Sequence, residues 1–351
     1  MRTSLTRGRN GFTLVSMAVW AVVLFGLLGM SVDIGRLIIN KNEAQMFADS
    51  AALAAALQLD GTSAGVTNAK NQVSSSLNRW DFETQTIPTP TVEFATAGNP
   101  DTWVASPLTA TGYTNVRVTV NLTQNLFFMP VKYSGMTQAV NAQAVAQQTQ
   151  MTTMYQGLFP FAPLAFNSTG PHYGLIPGVP YTMRYPASKH ASPCTGDLAD
   201  ANHAKDGGER GYWGDNSASV LRKRVVSDYQ TSNDAVVVGQ VLNTVSGAKT
   251  TIATSLNERA AQDTDDTSTT WAAYVAGGNG NGRRVVVMPI QDMNTNVVYS
   301  FGQFLLLTSG SYDHTGNAAW CAIYIGEASL PNTNHSGAGS TPGAYQVKLI
   351  N

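Results

Sequence analysis

An uncharged stretch near the N-terminus constrains this chain more than any other feature. The 21 residues from Phe12 to Val32 contain no charged side chain. As an α-helix, with a rise of about 1.5 Å per residue, this stretch would be roughly 30 Å long, which is the thickness of the hydrocarbon core of a bilayer. The sequence therefore predicts a transmembrane helix over residues 12–32.

Charge beside this stretch predicts its orientation. Residues 1–11 form a basic leader that carries Arg2, Arg7 and Arg9 and no acidic residue. Because flanking arginines tend to stay in the cytoplasm, the leader is predicted to be cytoplasmic and the rest of the chain to lie outside. A cleavable signal peptide is the alternative, but its apolar region would have only about 7–15 residues and would precede a small-x-small site. The longer run favours a retained anchor.

The helix is predicted to continue beyond the membrane. Residues 30–59 contain no proline and one glycine, and apolar residues recur there at roughly helical intervals. Glycine and Ser/Thr residues from Asp60 onward predict its end. The last part, "ADSAALAAALQL", is rich in alanine, and small side chains permit close approach of a neighbouring helix. One face of this helix is therefore predicted to pack against a neighbour.

The apolar period changes after this helix. Residues 66–80 are typical of a second, shorter helix, whereas "TVEFAT", "NVRVTVNLT" and "TQAVNAQAVAQQTQ" alternate apolar and polar residues, as half-buried strands do. Residues 33–150 are therefore predicted to form a helical stalk and a small antiparallel sheet on which the helices pack.

Residues 151–351 are predicted to form a β-rich C-terminal domain. Strand-like runs occur at "DAVVVGQVL", "RRVVVMPIQD", "VVYSFGQFLLL" and "AWCAIYIGEA", and "NSASVLRKRVVSDYQ" is typical of a short helix. The predicted fold class is α+β. A single N-terminal transmembrane helix continues as a periplasmic helix and is followed by two β-rich extracytoplasmic regions.

Composition and motifs argue against several functions. The formal net charge is −1 and only 12% of residues are charged, so no bulk electrostatic attraction favours nucleic acid. The chain has no Gly-x-x-x-x-Gly-Lys loop of the kind that cradles phosphates. We therefore predict no catalytic residues, no cofactor, no nucleic-acid partner and no small-molecule substrate.

Three short patterns resemble metal sites, and each has a simpler interpretation. "DNSAS", Asp215 to Ser219, has Asp-x-Ser-x-Ser spacing but lacks the preceding apolar strand, so it predicts a polar helix cap. "DTDDTSTT", Asp263 to Thr270, lacks the ligand spacing of an EF-hand and is predicted to be a solvated loop. His190, Cys194 and His203 have no credible fourth zinc ligand. No metal site is predicted.

The chain has two cysteines, Cys194 and Cys321. In an oxidising periplasm they could form a disulfide, and the alternative is two buried free thiols. Sequence does not supply the Cα–Cα distance that a disulfide needs, so both alternatives stay open.

The segment from Gly29 to Ala56, "GMSVDIGRLIINKNEAQMFADSAALAAA", resembles the N-terminal part of Tad-type (tight-adherence, Flp) pilus-assembly proteins of the TadG-like group. Those proteins have an anchor, then Val-Asp-x-Gly-Arg, then a helix that closes on Ala-Asp-x-Ala-Ala-Leu-Ala. The leucine of the family's frequent Leu-Gln pair is missing before Gln45. The matching positions are Val32, Asp33, Gly35, Arg36, Ala48, Asp49, Ala51, Ala52, Leu53 and Ala54.

The resemblance implies a membrane-anchored component of a pilus assembly or adhesion machinery, with a structural role and no catalysis. It implies a single-pass protein of the bacterial inner membrane with its bulk in the periplasm. Its expected partners are inner-membrane lipid and other pilus-assembly or pilin proteins, which would bind through the helical stalk.

Two other hypotheses stay open. A minor pilin or pseudopilin would be cleaved between Gly11 and Phe12, because "GFTLV" resembles the start of a class IV pilin. In such pilins a glutamate follows at the fifth position, whereas Ser16 stands there in this chain, which weakens the hypothesis. The third hypothesis is an anchored periplasmic ligand-binding protein or enzyme.

Overall fold

The computed structural model describes residues 10–76, 89–128, 137–186, 194–197, 208–215, 217–227, 235–328 and 344–350. Within these ranges the helices are α1 Asn10–Leu57, α2 Ser63–Ser76, α3 Ala218–Ser227, α4 Ile252–Ala261 and α5 Trp271–Ala276. The strands are β1 Thr91–Thr96, β2 Asn99–Val104, β3 Tyr113–Asn125, β4 Thr137–Gln150, β5 Thr153–Met154, β6 Pro180–Arg184, β7 Glu209–Trp213, β8 Val236–Val237, β9 Thr244–Ser246, β10 Val285–Gln291, β11 Val298–Leu306, β12 Trp320–Glu327 and β13 Tyr345–Ile350.

Helix α1 is a single rod of 48 residues, roughly 70 Å long. It contains no proline, so no residue interrupts its backbone hydrogen bonds. Its C-terminal end is closed by Gln148 of β4, whose buried amide donates to the carbonyl oxygens of Ala56 (2.6 Å) and Leu59 (2.8 Å). The carbonyl of Ala56 also accepts from the N–H of Leu59 at 3.3 Å. Gln148 thus adds a side-chain donor at the end of the helix and fastens that end to the sheet. The predicted continuous helix and its end before Asp60 are confirmed.

The first sheet is antiparallel, and in the described residues its strand order is β13-β4-β3-β1-β2. Buried and exposed residues alternate along β3 and β4, so their apolar side chains lie on one face of the sheet, which the helices cover. The buried residues of this face are Val116, Val118, Val120, Leu122, Val140, Ala142, Ala144 and Ala146. They pack against the second half of α1 and the apolar side of α2 in one continuous core.

The last strand of the chain returns to this first sheet. β13 pairs antiparallel with β4, from Tyr345 opposite Gln150 to Ile350 opposite Val145. The sequence-based division placed residues 345–350 in the C-terminal domain, and the structure places them beside β4 instead. The pairing depends on β4 having a free edge, which is a property of the folded sheet and not of the local sequence.

The second region is built on another antiparallel sheet, with the described strands in the order β10-β11-β12-β6. Two short pairs, β5 with β8 and β7 with β9, lie beside it. Its core is rich in aromatic rings, including Phe161, Tyr212 and Trp320, which contact one another edge-on or tilted. The predicted strands over β10, β11 and β12 and the short helix α3 are present, whereas β6 and β7 were not predicted.

We expect overpacking at Ala52 to destabilise the first region. Ala52 is fully buried between α1 and the sheet, so Ala52→Leu should lower the free energy of unfolding by about 1–3 kcal/mol. Ser50 is exposed on the same helix, and Ser50→Leu should change it by less than about 0.5 kcal/mol. Chemical unfolding of the full chain in detergent measures both. Equal effects of the two variants would show that the face of Ala52 is not packed.

Candidate functional site

The residues of the Val-Asp-x-Gly-Arg motif lie where α1 meets the segment that follows β3. We call this contact the helix–loop junction. It consists of Gly29, Asp33 and Arg36 on α1 and of Phe127 and Phe128 after β3. It lies at the end of the uncharged stretch of α1, so it connects the first sheet to the apolar half of the helix.

Asp33 holds the backbone of the loop. Its side chain is almost fully buried, with 1% of its surface exposed. Oδ1 accepts a hydrogen bond from the N–H of Phe127 at 3.1 Å, and Oδ2 accepts one from the N–H of Phe128 at 2.8 Å. A buried carboxylate is costly unless it is hydrogen-bonded, and charge-assisted bonds of this kind are among the stronger ones. Asp33 therefore fixes the loop against the helix just beyond the end of β3.

The motif residue Arg36 and Gly29, which precedes the motif, also shape the junction. The guanidinium carbon of Arg36 lies 4.4 Å from the centre of the Phe127 ring, within the range of a cation–π contact. At Gly29, an added Cβ would lie 2.4 Å from Cγ of Phe128, so a larger residue would displace that ring. The motif glycine Gly35 has no such neighbour within 4 Å, and nothing in the structure explains it.

The alanine residues of the second motif are buried within this chain. Ala48, Ala51 and Ala52 pack on the sheet and belong to the same core as β3 and β4. The predicted packing of the helices on the sheet is confirmed here, because the chain's own sheet covers the alanine face. Periodicity identifies a face that must be buried, but it does not identify what buries it.

Polar side chains also fasten this half of α1 to the sheet. Asn40 donates to Oε1 of Gln124, Lys41 donates to the carbonyl of Asn141, and Gln45 donates to the carbonyl of Gln143. Asp49 is partly exposed and accepts a hydrogen bond from Gln45 at 2.8 Å. Leu53 and Ala54 are partly exposed, and Val32 is exposed on α1. The motif residues therefore serve mainly to join α1 to the sheet.

The first part of α1 is exposed along its length. In the described residues, α1 is the one helix that is long and apolar enough to cross a membrane. Both Gly11 and Phe12, the possible prepilin cleavage site, lie in this helix, and Phe12 is exposed. Other exposed apolar side chains of this part are Leu14, Met17, Trp20, Val22, Leu24, Phe25, Leu27 and Leu28.

The two cysteines are joined. Cys194 and Cys321 form a disulfide with a Cα–Cα distance of 5.8 Å and a sequence separation of 127 residues. Cys321 lies on β12, and the backbone N–H of Cys194 donates to Thr182 on the adjacent β6 at 3.1 Å. The bond therefore ties the segment around residue 194 to the second sheet.

The other patterns that the sequence analysis considered have structural roles where they are described. Oδ1 of Asp215 accepts from the N–H of Ser217 (2.6 Å) in the turn just before α3. His190 and His203 lie outside the described residues. Among the described residues, no group of three or more His, Cys, Asp or Glu could hold a metal. One pattern was not recognised from the sequence: "GTSAG", residues 61–65, has the Gly-x-Ser-x-Gly spacing of a nucleophile elbow. It lies between α1 and α2, whereas an elbow follows a strand.

The "DTDDTSTT" loop is less solvated than predicted. Asp263 is buried and accepts hydrogen bonds from the N–H of Arg284 and the hydroxyl of Tyr274, both at 2.8 Å. Asp265 caps the turn by accepting from Ser268, and these bonds lower the pKa of Asp265 to about 2. The carboxylates thus order the loop from within.

A buried acidic group lies where the second sheet leads into β13. Glu327 accepts a hydrogen bond from Oγ of Ser300 (2.8 Å), and that oxygen in turn accepts from the N–H of Ala344 (2.9 Å). Nδ1 of His172 lies 3.8 Å from Glu327 and 3.1 Å from the hydroxyl of Tyr324. Burial raises the pKa of Glu327 to about 7 and lowers the pKa of His172. Burial thus favours the neutral form of both groups.

This raised pKa predicts a loss of stability as the pH rises from about 4.5 to about 7. The unfolded chain releases the Glu327 proton near pH 4.5, whereas the folded chain keeps it to about pH 7. The contribution of Glu327 to the free energy of unfolding is therefore fully present below pH 4.5 and is lost as the pH rises through 7. Glu327→Gln should be more stable than the parent at pH 8, by up to about 3 kcal/mol, and similar to it at pH 4.5. Chemical unfolding at both pH values tests this difference in stability, with Glu258→Gln, an exposed position, as the control. If the free energies of unfolding of the parent and of Glu327→Gln changed in parallel with pH, the prediction would be contradicted.

Phe127 and Phe128 are the junction residues that sequence reasoning missed. A signal was present in the sequence, because the alternation of apolar and polar residues in β3 gives way to four consecutive apolar residues, Leu126 to Met129. Such a break at a strand end suggests that the chain has a further apolar surface to contact there.

Among the comparisons with known proteins, one gives a match, and it covers helix α1. Searches of curated proteins and of solved structures found no match. A family model matches residues 11–58, which correspond to α1 almost from end to end. These residues are thus similar to the segment described by the model for Flp pilus-assembly TadE/G-like proteins.

Proposed function

We propose that this chain is a membrane-anchored component of an Flp-type pilus assembly or adhesion machinery, with a structural role and no catalysis. The observation that carries the proposal is the division of the matched helix into two halves. The first half is apolar and exposed, whereas the second half is buried against the first sheet. A helix of this kind can hold a folded domain at a membrane surface.

Two observations support an inner-membrane protein whose bulk lies in the periplasm. The basic leader precedes the apolar half of α1, which favours a cytoplasmic N-terminus. The disulfide between Cys194 and Cys321 is of a kind that persists in oxidising compartments and is rare in the cytoplasm. Both support the proposal that the second region lies on the outer side of the membrane.

Partner proteins would bind α1 on the side that the sheet leaves uncovered. The alanine face is occupied, but Ile34, Ile38, Ile39 and Met46 are exposed beyond the uncharged stretch. Exposed aliphatic residues on a helix beside a membrane suit another apolar helix, such as that of a pilin or of a second assembly protein.

A pilus assay tests the proposal. Deleting the gene from its host should abolish Flp pili on the cell surface, and the intact gene should restore them. A full-length variant whose residues 12–28 are replaced by an unrelated apolar helix should restore them as well, if this half serves only as an anchor. Normal piliation of the deletion strain would contradict the proposal.

The two alternatives predict different results. A processed pilin would be found within purified filaments, with Phe12 as its first residue. An anchored ligand-binding protein or enzyme would leave piliation unchanged, and its isolated membranes would show a ligand-dependent thermal shift.

A further inference from the structure

Two neighbouring aromatic side chains stand exposed at the tip of the first sheet. Phe127 is 65% exposed and Phe128 is 50% exposed, although Leu126 beside them is buried. Their backbone is held in place by Asp33. The exposure of the rings is therefore imposed by a built contact and is not a consequence of a loose loop end.

The position of these rings relative to α1 suggests what covers them. Phe128 lies against Gly29, which is three residues, or about 5 Å, inside the end of the uncharged stretch at Val32. Leu27 and Leu28 on the neighbouring turn are exposed as well. The aromatic rings thus continue the apolar surface of the helix half that is proposed to span the membrane.

We infer that Phe127 and Phe128 insert into the interface of the outer leaflet and give the chain a second contact with the bilayer beside α1. This inference rests on the proposed anchoring of α1. Aromatic residues favour the boundary between acyl chains and headgroups. Arg36, stacked on Phe127, lies at a height where a cation can face lipid phosphates.

The second contact fixes how the first sheet stands on the membrane. Because β3 ends at the junction, its 13 residues lead away from the bilayer over roughly 40 Å. With α1 as its one attachment the domain could rotate about the helix axis, whereas a second attachment beside α1 restricts that rotation. The opposite end of β3, next to Leu108, is then presented far from the lipid.

Site-directed labelling of the full chain in phospholipid vesicles tests the inference. Both cysteines of the sequence are in the disulfide, so a single introduced cysteine can carry a nitroxide label. The test position is Phe127→Cys, and Phe128→Cys replaces it if that variant loses the protease resistance of the parent. Leu108→Cys, fully exposed at the other end of β3, is the aqueous control, and Leu24→Cys is the control within the proposed span. Accessibility to oxygen and to a water-soluble nickel chelate is measured at each.

We expect lipid-like accessibility of the label at residue 24 and water-like accessibility at residue 108. The label at residue 127 should lie between them, and its ratio of nickel-chelate accessibility to oxygen accessibility should be at least about threefold lower than at residue 108. If the label at residue 127 were as accessible to the nickel chelate as the label at residue 108, while the label at residue 24 showed lipid-like accessibility, the inference would be overturned and the anchor would stand. Water-like values at all three positions would overturn the anchor itself. Protection of residue 127 only after a partner protein is added would assign the rings to that partner and would also overturn the inference.

Discussion

Replacing Asp33 with alanine is expected to release the loop after β3 from α1. The carboxylate accepts two backbone hydrogen bonds, from Phe127 and Phe128, and is almost fully buried. Each bond to a charged acceptor contributes about 1.5–3 kcal/mol, so the loss of both should lower the free energy of local opening by roughly 3–6 kcal/mol. Hydrogen exchange at the two phenylalanine amides in the full chain measures this directly.

Two variants sharpen the Asp33 experiment. Asp33→Asn keeps one acceptor oxygen without the charge, so it should give an intermediate loss of protection. Asp49→Ala removes another motif carboxylate of the same helix, whose hydrogen bond runs to Gln45 on the helix surface. It should leave exchange at Phe127 and Phe128 unchanged. Equal protection in the Asp33→Ala variant and the parent would show that Asp33 does not hold the loop.

Removing the disulfide is expected to destabilise the second region more than any other single change considered. The bond closes a loop across 127 residues, and a loop of this length corresponds to roughly 4–5 kcal/mol in the chain-entropy description. Cys194→Ser with Cys321→Ser should therefore unfold at a markedly lower denaturant concentration than the parent.

Reduction of the parent chain provides the matched control for this prediction. The parent in excess dithiothreitol should unfold at nearly the same denaturant concentration as the double serine variant, and the variant should not respond to the reductant. A double variant as stable as the oxidised parent would contradict the prediction. A reduced parent that remains more stable than the variant would show that serine disturbs the site around Thr182.

Local patterns predicted the elements of this chain well, because each pattern reports on one element at a time. The uncharged stretch and the absence of proline identify α1, and the alternation in "NVRVTVNLT" identifies β3. In the motif, the alanine spacing correctly shows that one face of α1 is buried.

Pairings between distant segments could not be predicted in the same way. The return of β13 to β4 and the contact of Asp33 with Phe127 join residues far apart in sequence. A face that packs on a partner and one that packs on its own sheet have the same periodicity. A buried aspartate likewise looks like a surface aspartate until its donors are known.

The mass of the mature protein, isolated from carbonate-washed membranes, tests the central claim most directly. A retained anchor predicts a chain that stays in the membrane fraction and still contains the arginines of the leader before Gly11. A mature chain that begins at Phe12, or one released from the membrane without its first helix, would contradict the claim. The first of these results would favour a processed pilin, and the second a secreted protein.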